Sequence, residues 1–159
     1  MIDAQKLNLR KPRQDDREFL TKLFSDEDVI HYLAISTERA SMLIDAICAP
    51  LAITREDKKY WIAERTEDGS QVGYASALRY STPRVEITFA VSPGFRKCGY
   101  GYELVDSLVG HLESIPRIRI IVAVVNYYNS YSRSIVEKLG FIPTTPTHYE
   151  KSLRPQTEA

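Results

Sequence analysis

The hydrophobic pattern changes period once between Val85 and Glu113, and that change places the main elements of the chain. Val85, Ile87, Phe89 and Val91 alternate with Glu86, Thr88 and Ala90, which predicts a strand with one apolar face and one face carrying a carboxylate. Ser92-Pro93-Gly94 ends it, since proline lacks a ladder donor and glycine admits a positive φ. From Tyr102 the apolar residues fall at Leu104, Val105, Leu108, Val109 and Leu112, the spacing of an amphipathic helix. Strand, glycine-bearing loop and helix therefore follow one another directly.

Upstream, Leu7-Asn8-Leu9-Arg10 alternates and stops ahead of Pro12, a short first strand. Asp15 with Glu18 reads as a helix start with a reciprocal cap, followed by Phe19, Leu20, Leu23 and Phe24 on one face. Ser25 with Asp28 repeats the pattern ahead of Val29, Ile30, Tyr32 and Leu33. Ser36 is placed to cap a third helix with Ala40, Leu43, Ile44 and Ile47 in one stripe. Two apolar-rich segments, Tyr60 to Thr66 and Gln71 to Tyr80, flank Asp68-Gly69, a hairpin signal. Downstream, the β-branched run from Ile118 to Val125 predicts a strand covered on both faces. A further amphipathic helix carries Tyr131, Ile135, Val136 and Leu139 and stops at Gly140; Phe141-Ile142 and His148 to Leu153 are predicted closing strands.

At 159 residues the chain is expected to form one domain, 1–159, with a core over 7–153 and a polar tail at 154–159. Its 21 basic and 21 acidic residues balance, which removes any global attraction to nucleic acid or anionic membrane. No apolar run approaches the roughly 20 residues of a bilayer span, and Met1 to Lys6 lacks the apolar segment of a signal peptide. Cys48 and Cys98 show no metal spacing and are too few for a disulfide framework, and the three histidines form no ligand pair. The expectation is a reduced cytoplasmic protein without a metal.

The loop Arg96-Lys97-Cys98-Gly99-Tyr100-Gly101 has the chemistry of a phosphate site: open amides at a helix start, the positive end of the helix dipole, and two cations. Its spacing is neither the P-loop nor the dinucleotide pattern. It resembles the Gln/Arg-x-x-Gly-x-Gly/Ala motif with which the GCN5-related N-acetyltransferases grip coenzyme A. About 30 residues on, Asn129-Ser130-Tyr131-Ser132 through Lys138-Leu139-Gly140-Phe141 resembles the Asn-x-x-Ser-x-x-x-x-x-Lys-Leu-Gly-Phe stretch of the same superfamily. Leu7-Asn8-Leu9-Arg10 followed by Leu23-Phe24-Ser25-Asp26 is similar to its ribosomal-protein-alanine acetyltransferase-like branch. The implied fold is α/β (α+β): a mixed, mostly antiparallel sheet of about six to seven strands flanked by about four to five helices, opened into a V between the strands ending at Val91 and Val125.

The resemblance implies that Gly99, Tyr100 and Gly101, with Arg96 and Lys97, hold the pyrophosphate of acetyl-CoA. It implies that the backbone of Phe89 and Val91 pairs with the pantetheine arm and that Asn129 contacts the same arm. Asn129 also suits a helix cap, and the two roles are compatible. Glu86 is the candidate base, set against a solvated carboxylate or a partner for Arg79 or Arg84. The phenol that many relatives carry two residues before the helix lysine is Val136 here. Ser132 is then the candidate group at the leaving thiolate, set against a hydroxyl that merely bonds backbone. A thiolate of pKa about 8.5 also leaves without a strong acid. The expected function is acetyl transfer from acetyl-CoA to a primary amine, either a protein or peptide N-terminus or a small molecule. The alternative is a non-catalytic or regulatory module that keeps the coenzyme. A homodimer is plausible, and a nucleic-acid partner is disfavoured by the charge balance.

Overall fold

A computed structural model describes residues 6–50 and 57–153 of the chain. The expected tail, 154–159, lies outside the described residues. In chain order the elements are β1 (Leu7–Arg10), α1 (Arg17–Leu23), α2 (Glu27–Leu33), α3 (Thr37–Ile47), β2 (Lys58–Arg65), β3 (Gln71–Leu78) and β4 (Arg84–Val91). There follow α4 (Tyr100–Glu113), β5 (Ile120–Val124), α5 (Ser130–Lys138), β6 (Ile142–Pro143) and β7 (His148–Ser152). Among the described residues these make one seven-stranded sheet in the order β1-β2-β3-β4-β5-β7-β6, with five helices around it. Only β4 and β5 run parallel; the other neighbours are antiparallel. The mixed sheet expected from the sequence is the one observed.

Strand alternation divides the sheet into two faces. Val85, Ile87 and Val91 of β4 are buried with Leu104, Val105, Leu108 and Leu112 of α4 and Ile135 and Val136 of α5. On the other face Ile62 of β2 and Tyr74 of β3 pack with Leu20, Leu23, Phe24, Ala40 and Ile44 of α1 and α3. The predicted stripe is buried fully in α4 and in part elsewhere: of the α2 set only Val29 is buried, and Tyr131 of the α5 stripe is exposed.

Two helix starts differ from their predicted caps. Before α1 the chain makes a 3-10 turn, Gln14–Asp16, and the carboxylate accepting an N–H is that of Asp16, from Arg13 at 2.6 Å. Asp16 is fully buried and also accepts from Arg10 and Gln71, so those donors fix the turn at this residue instead of at Asp15. Ser25 lies in the turn that follows α1, where its hydroxyl donates to the Thr21 carbonyl at 2.6 Å. Asp26 therefore caps α2, accepting from the Val29 N–H at 3.2 Å. Ser36 caps α3 as expected, accepting from the Arg39 N–H.

Gly73 marks the closest approach of β3 to the end of β4. A Cβ there would stand 2.5 Å from the Ala90 carbonyl oxygen and 3.1 Å from Leu104 Cδ1. Backbone held in a ladder cannot step aside, so Gly73→Ala is expected to lower the unfolding free energy by about 1–3 kcal/mol. Urea titration would show a lower midpoint at unchanged slope.

Candidate active site

The parallel pair stops early. β4 and β5 register from Arg84↔Ile120 to Ile87↔Ala123, and the rest of β4 runs on to Val91 without β5 beside it. The Pro83 carbonyl faces β5, where it accepts from Ile120, and the Ser92 N–H faces β3, where it donates to Val72. Backbone polar groups alternate sides along a strand, so those of Phe89 and Val91 face the gap. This is the V opening expected from the sequence, with the two predicted residues on its edge.

A cavity of about 240 Å³ fills the gap. It is lined by Phe89 and Val91 of β4, Arg96 and Lys97 of the loop, and Asn129 and Ser132 at the start of α5. Six predicted residues from three segments thus meet in one place. Ala90, Ser130 and Tyr131 complete those segments, and the opposite wall, Asp28, Val29, Tyr32 and Leu33, comes from α2 and carried no local signal of such a role. A narrower extension runs between the strands past Val124, Val125 and Asn126, with Tyr32 and Ser132 again at its edge.

Behind the cavity, α4 begins without a side-chain cap, and its first internal hydrogen bond is Glu103 N–H to Gly99 O at 3.2 Å. The first-turn amides carry the positive end of a 14-residue helix. Lys97 and Gly99 both take left-handed φ, at 62° and 82°, which turns the loop back over that helix start. The two glycines of the motif act differently. A Cβ on Gly99 would meet nothing within 4 Å, so its conformation is what requires glycine. A Cβ on Gly101 would lie 2.7 Å from Tyr131 Oη and 2.8 Å from Ile135 Cδ1, so Gly101 serves the crossing of α4 with α5. Tyr100 packs its ring edge-on against Phe95, with centroids 5.9 Å apart.

Asn129 caps α5, its Oδ1 accepting from the Ser132 N–H at 3.1 Å, while the residue also faces the cavity. Val136 is fully buried in the core, so a phenol is missing from that helix position. The phenols on the cavity wall are Tyr32 and Tyr131. Arg96 is placed where the loop motif predicts, but its guanidinium turns to the wall: Nη2 meets Asp26 at 2.9 Å, Nη1 meets Asp28 at 3.4 Å, and Nε donates to the Val91 carbonyl at 3.3 Å. Burial pushes the Asp26 carboxyl up, but hydrogen bonds from Arg96 and the Val29 amide outweigh it and hold it below its ordinary value.

Glu86 stands apart from the cavity lining. It shares a face of β4 with Thr88 and with Ala90, which does line the cavity, at about 13 Å along the strand for four residues. It is half-buried between Leu78 of β3 and Val122 of β5. Arg84, one of its two expected partners, is paired instead with Glu150. The nearby phenol of Tyr74 is pushed by burial up to about 12, and the Ser76 and Thr88 hydroxyls bond each other. Glu86 is therefore the carboxylate that this face of β4 offers. No group of three His, Cys, Asp or Glu side chains among the described residues is placed to hold a metal ion. Nor is any helix among them long and apolar enough to cross a membrane.

Splayed parallel strands, a helix start without a side-chain cap and a basic loop thus border one cleft. The Acetyltransferase (GNAT) domain family matches residues 6–142, and the chain belongs to it. An uncharacterized N-acetyltransferase of Bacillus subtilis (strain 168), YoaA, is 26% identical over 147 residues, covering 89% of this chain and 82% of its own length. The fold is shared with spermidine N-acetyltransferase from Vibrio cholerae, solved with CoA and spermine: TM-score 0.75, 16% identity, 89% of this chain and 84% of that one. It is shared also with a putative ribosomal-protein-serine acetyltransferase from Vibrio cholerae: TM-score 0.70, 15% identity, 95% and 96% covered. The protein is an N-acetyltransferase with acetyl-CoA as its co-substrate.

Proposed function

We propose that the chain acts as a single acetyltransferase domain that moves the acetyl group directly from acetyl-CoA to a primary amine, with Glu86 as general base. The observation that carries this reading is the open edge of β4 beside the start of α4, with Phe89, Val91, Lys97, Asn129 and Ser132 around one cavity. Acetyl-CoA supplies an activated thioester; the chain supplies position and charge. The amides at Gly99, Tyr100 and Gly101, with Lys97 and Arg96, hold the pyrophosphate. The gap-facing backbone of Phe89 and Val91 pairs with the pantetheine arm and polarises the thioester carbonyl, and Asn129 meets the arm from α5. Glu86 accepts the proton of the attacking amine, directly or through water along the Thr88 side of the strand. Ser132 lines the cleft, and in this reading its hydroxyl donates a hydrogen bond to the departing sulfur.

The acceptor is a small amine such as a polyamine or the N-terminus of a ribosomal or other protein; the two solved relatives, one with spermine and one a putative ribosomal-protein-serine enzyme, mark the two classes. Thiol release from acetyl-CoA against a panel of spermidine, an aminoglycoside and Ser- or Ala-starting peptides separates them. At least one class is expected to give CoA release matched by an acetylated amine in the mass spectrum. Tight acetyl-CoA binding without release against every amine class would overturn the transfer reading.

A further inference from the structure

Arg96 is the loop cation that the motif assigns to phosphate, yet here it makes three bonds that have nothing to do with a ligand. Its Nη2 and Nη1 reach Asp26 and Asp28, 70 and 68 residues away on the start of α2, and its Nε holds the Val91 carbonyl. Val91 O is the last acceptor on the open edge of β4. Asp26 has a second task as the cap of α2, and α2 supplies Tyr32 and Leu33 to the cavity wall. One half-buried guanidinium therefore ties together the strand edge, the phosphate loop and the wall that faces the cleft.

We propose that Asp26 and Asp28 are positioning residues that hold Arg96 as a latch across the cleft, and that the pyrophosphate of the co-substrate competes with these carboxylates for it. This rests on the reading that the α4 start is the phosphate site. An anion arriving at the loop draws the guanidinium off Asp28 first, because that pair is the longer at 3.4 Å and Asp28 is the more exposed carboxylate. Moving the guanidinium also frees the Val91 carbonyl for an amide donor of the arm. Binding of the carrier and placement of α2 are linked in this way, and the linkage is reciprocal.

The test is calorimetric titration of acetyl-CoA and of phosphate-free acetyl-pantetheine into five proteins: the parent, Asp28→Asn, Arg96→Gln, the double variant and Gly99→Glu. Asp28→Asn removes the weaker competitor and is expected to bind acetyl-CoA about two- to fivefold tighter, the range for an exposed pair. Acetyl-pantetheine should bind it as it binds the parent. In the Arg96→Gln background the same Asp28 change is expected to have no effect, whereas simple removal of a negative charge would still tighten binding there. Tightening is a result that damage to α2 does not produce. If Gly99→Glu weakens acetyl-CoA binding but Asp28→Asn leaves it equal or weaker, the latch is overturned and the phosphate site stands. If Gly99→Glu has no effect either, the phosphate-site reading fails and the latch fails with it.

Discussion

Glu86→Gln is expected to lower kcat by at least about 100-fold while leaving acetyl-CoA affinity and stability close to those of the parent. A positioned general base contributes roughly 10²–10⁴ in rate, and an amide of the same shape cannot accept the ammonium proton. The substitution is nearly isosteric in a strand whose neighbours, Leu78 and Val122, are apolar, and no side chain among the described residues pairs with the carboxylate. Stability should therefore move by less than about 0.5 kcal/mol. Two readouts separate a lost base from a damaged site. Acetyl-CoA should titrate with parental affinity, and the residual rate should climb as pH rises, because solvent then supplies more of the amine already deprotonated. A parental rate at neutral pH would remove Glu86 as the base and turn attention to the amine's own ionisation as the only requirement.

The legible parts of this chain are the ones whose signals are local. The switch of period between β4 and α4, the glycine loop and the Asn129 cap are each written within a few residues, and the resemblance those motifs carry named the six residues that meet at the cavity. Caps were less legible. Asp15 and Asp16 look alike in sequence, as do Ser25 and Asp26, and what selects the second of each pair is a partner outside the local pattern: Gln71, with Arg10 six residues back, for Asp16, and Arg96 for Asp26. The two motif glycines also look alike, although one is fixed by a left-handed φ and the other by the closeness of Tyr131 and Ile135. The wall formed by α2 had no sequence signal, since contacts spanning 70 residues leave no periodicity. A helix stripe says which face is buried, not what the exposed face confronts.

Asp16→Ala is the substitution with the largest expected effect on stability. The Asp16 carboxylate is fully buried and accepts from Arg10 at 2.7 and 2.8 Å, from the Arg13 N–H at 2.6 Å and from Gln71 at 2.6 Å. It joins β1, the turn before α1 and the start of β3 around one negative charge. Its removal leaves three donors short of an acceptor, the situation in which a broken buried pair costs about 3–5 kcal/mol. Arg10 keeps Glu64 at 2.7 Å, which puts the expectation near the lower end, about 3 kcal/mol. For a domain of this length that is a fall in Tm of roughly 6–12 °C. The pH dependence has a definite sign. Burial pushes the Asp16 carboxyl up, but Arg10, the Arg13 amide and Gln71 outweigh it, so its folded value lies below the ordinary one. A depressed carboxylate contributes stability that is complete above the unfolded value of about 3.9 and is lost as pH falls through the folded value. The gap between parent and Asp16→Ala should therefore be widest at neutral pH and narrow below about pH 4. Urea titrations at pH 7 and in the acid range measure it directly. An equal gap at both would mean that the loss comes from packing around the missing carboxylate, and not from its charge.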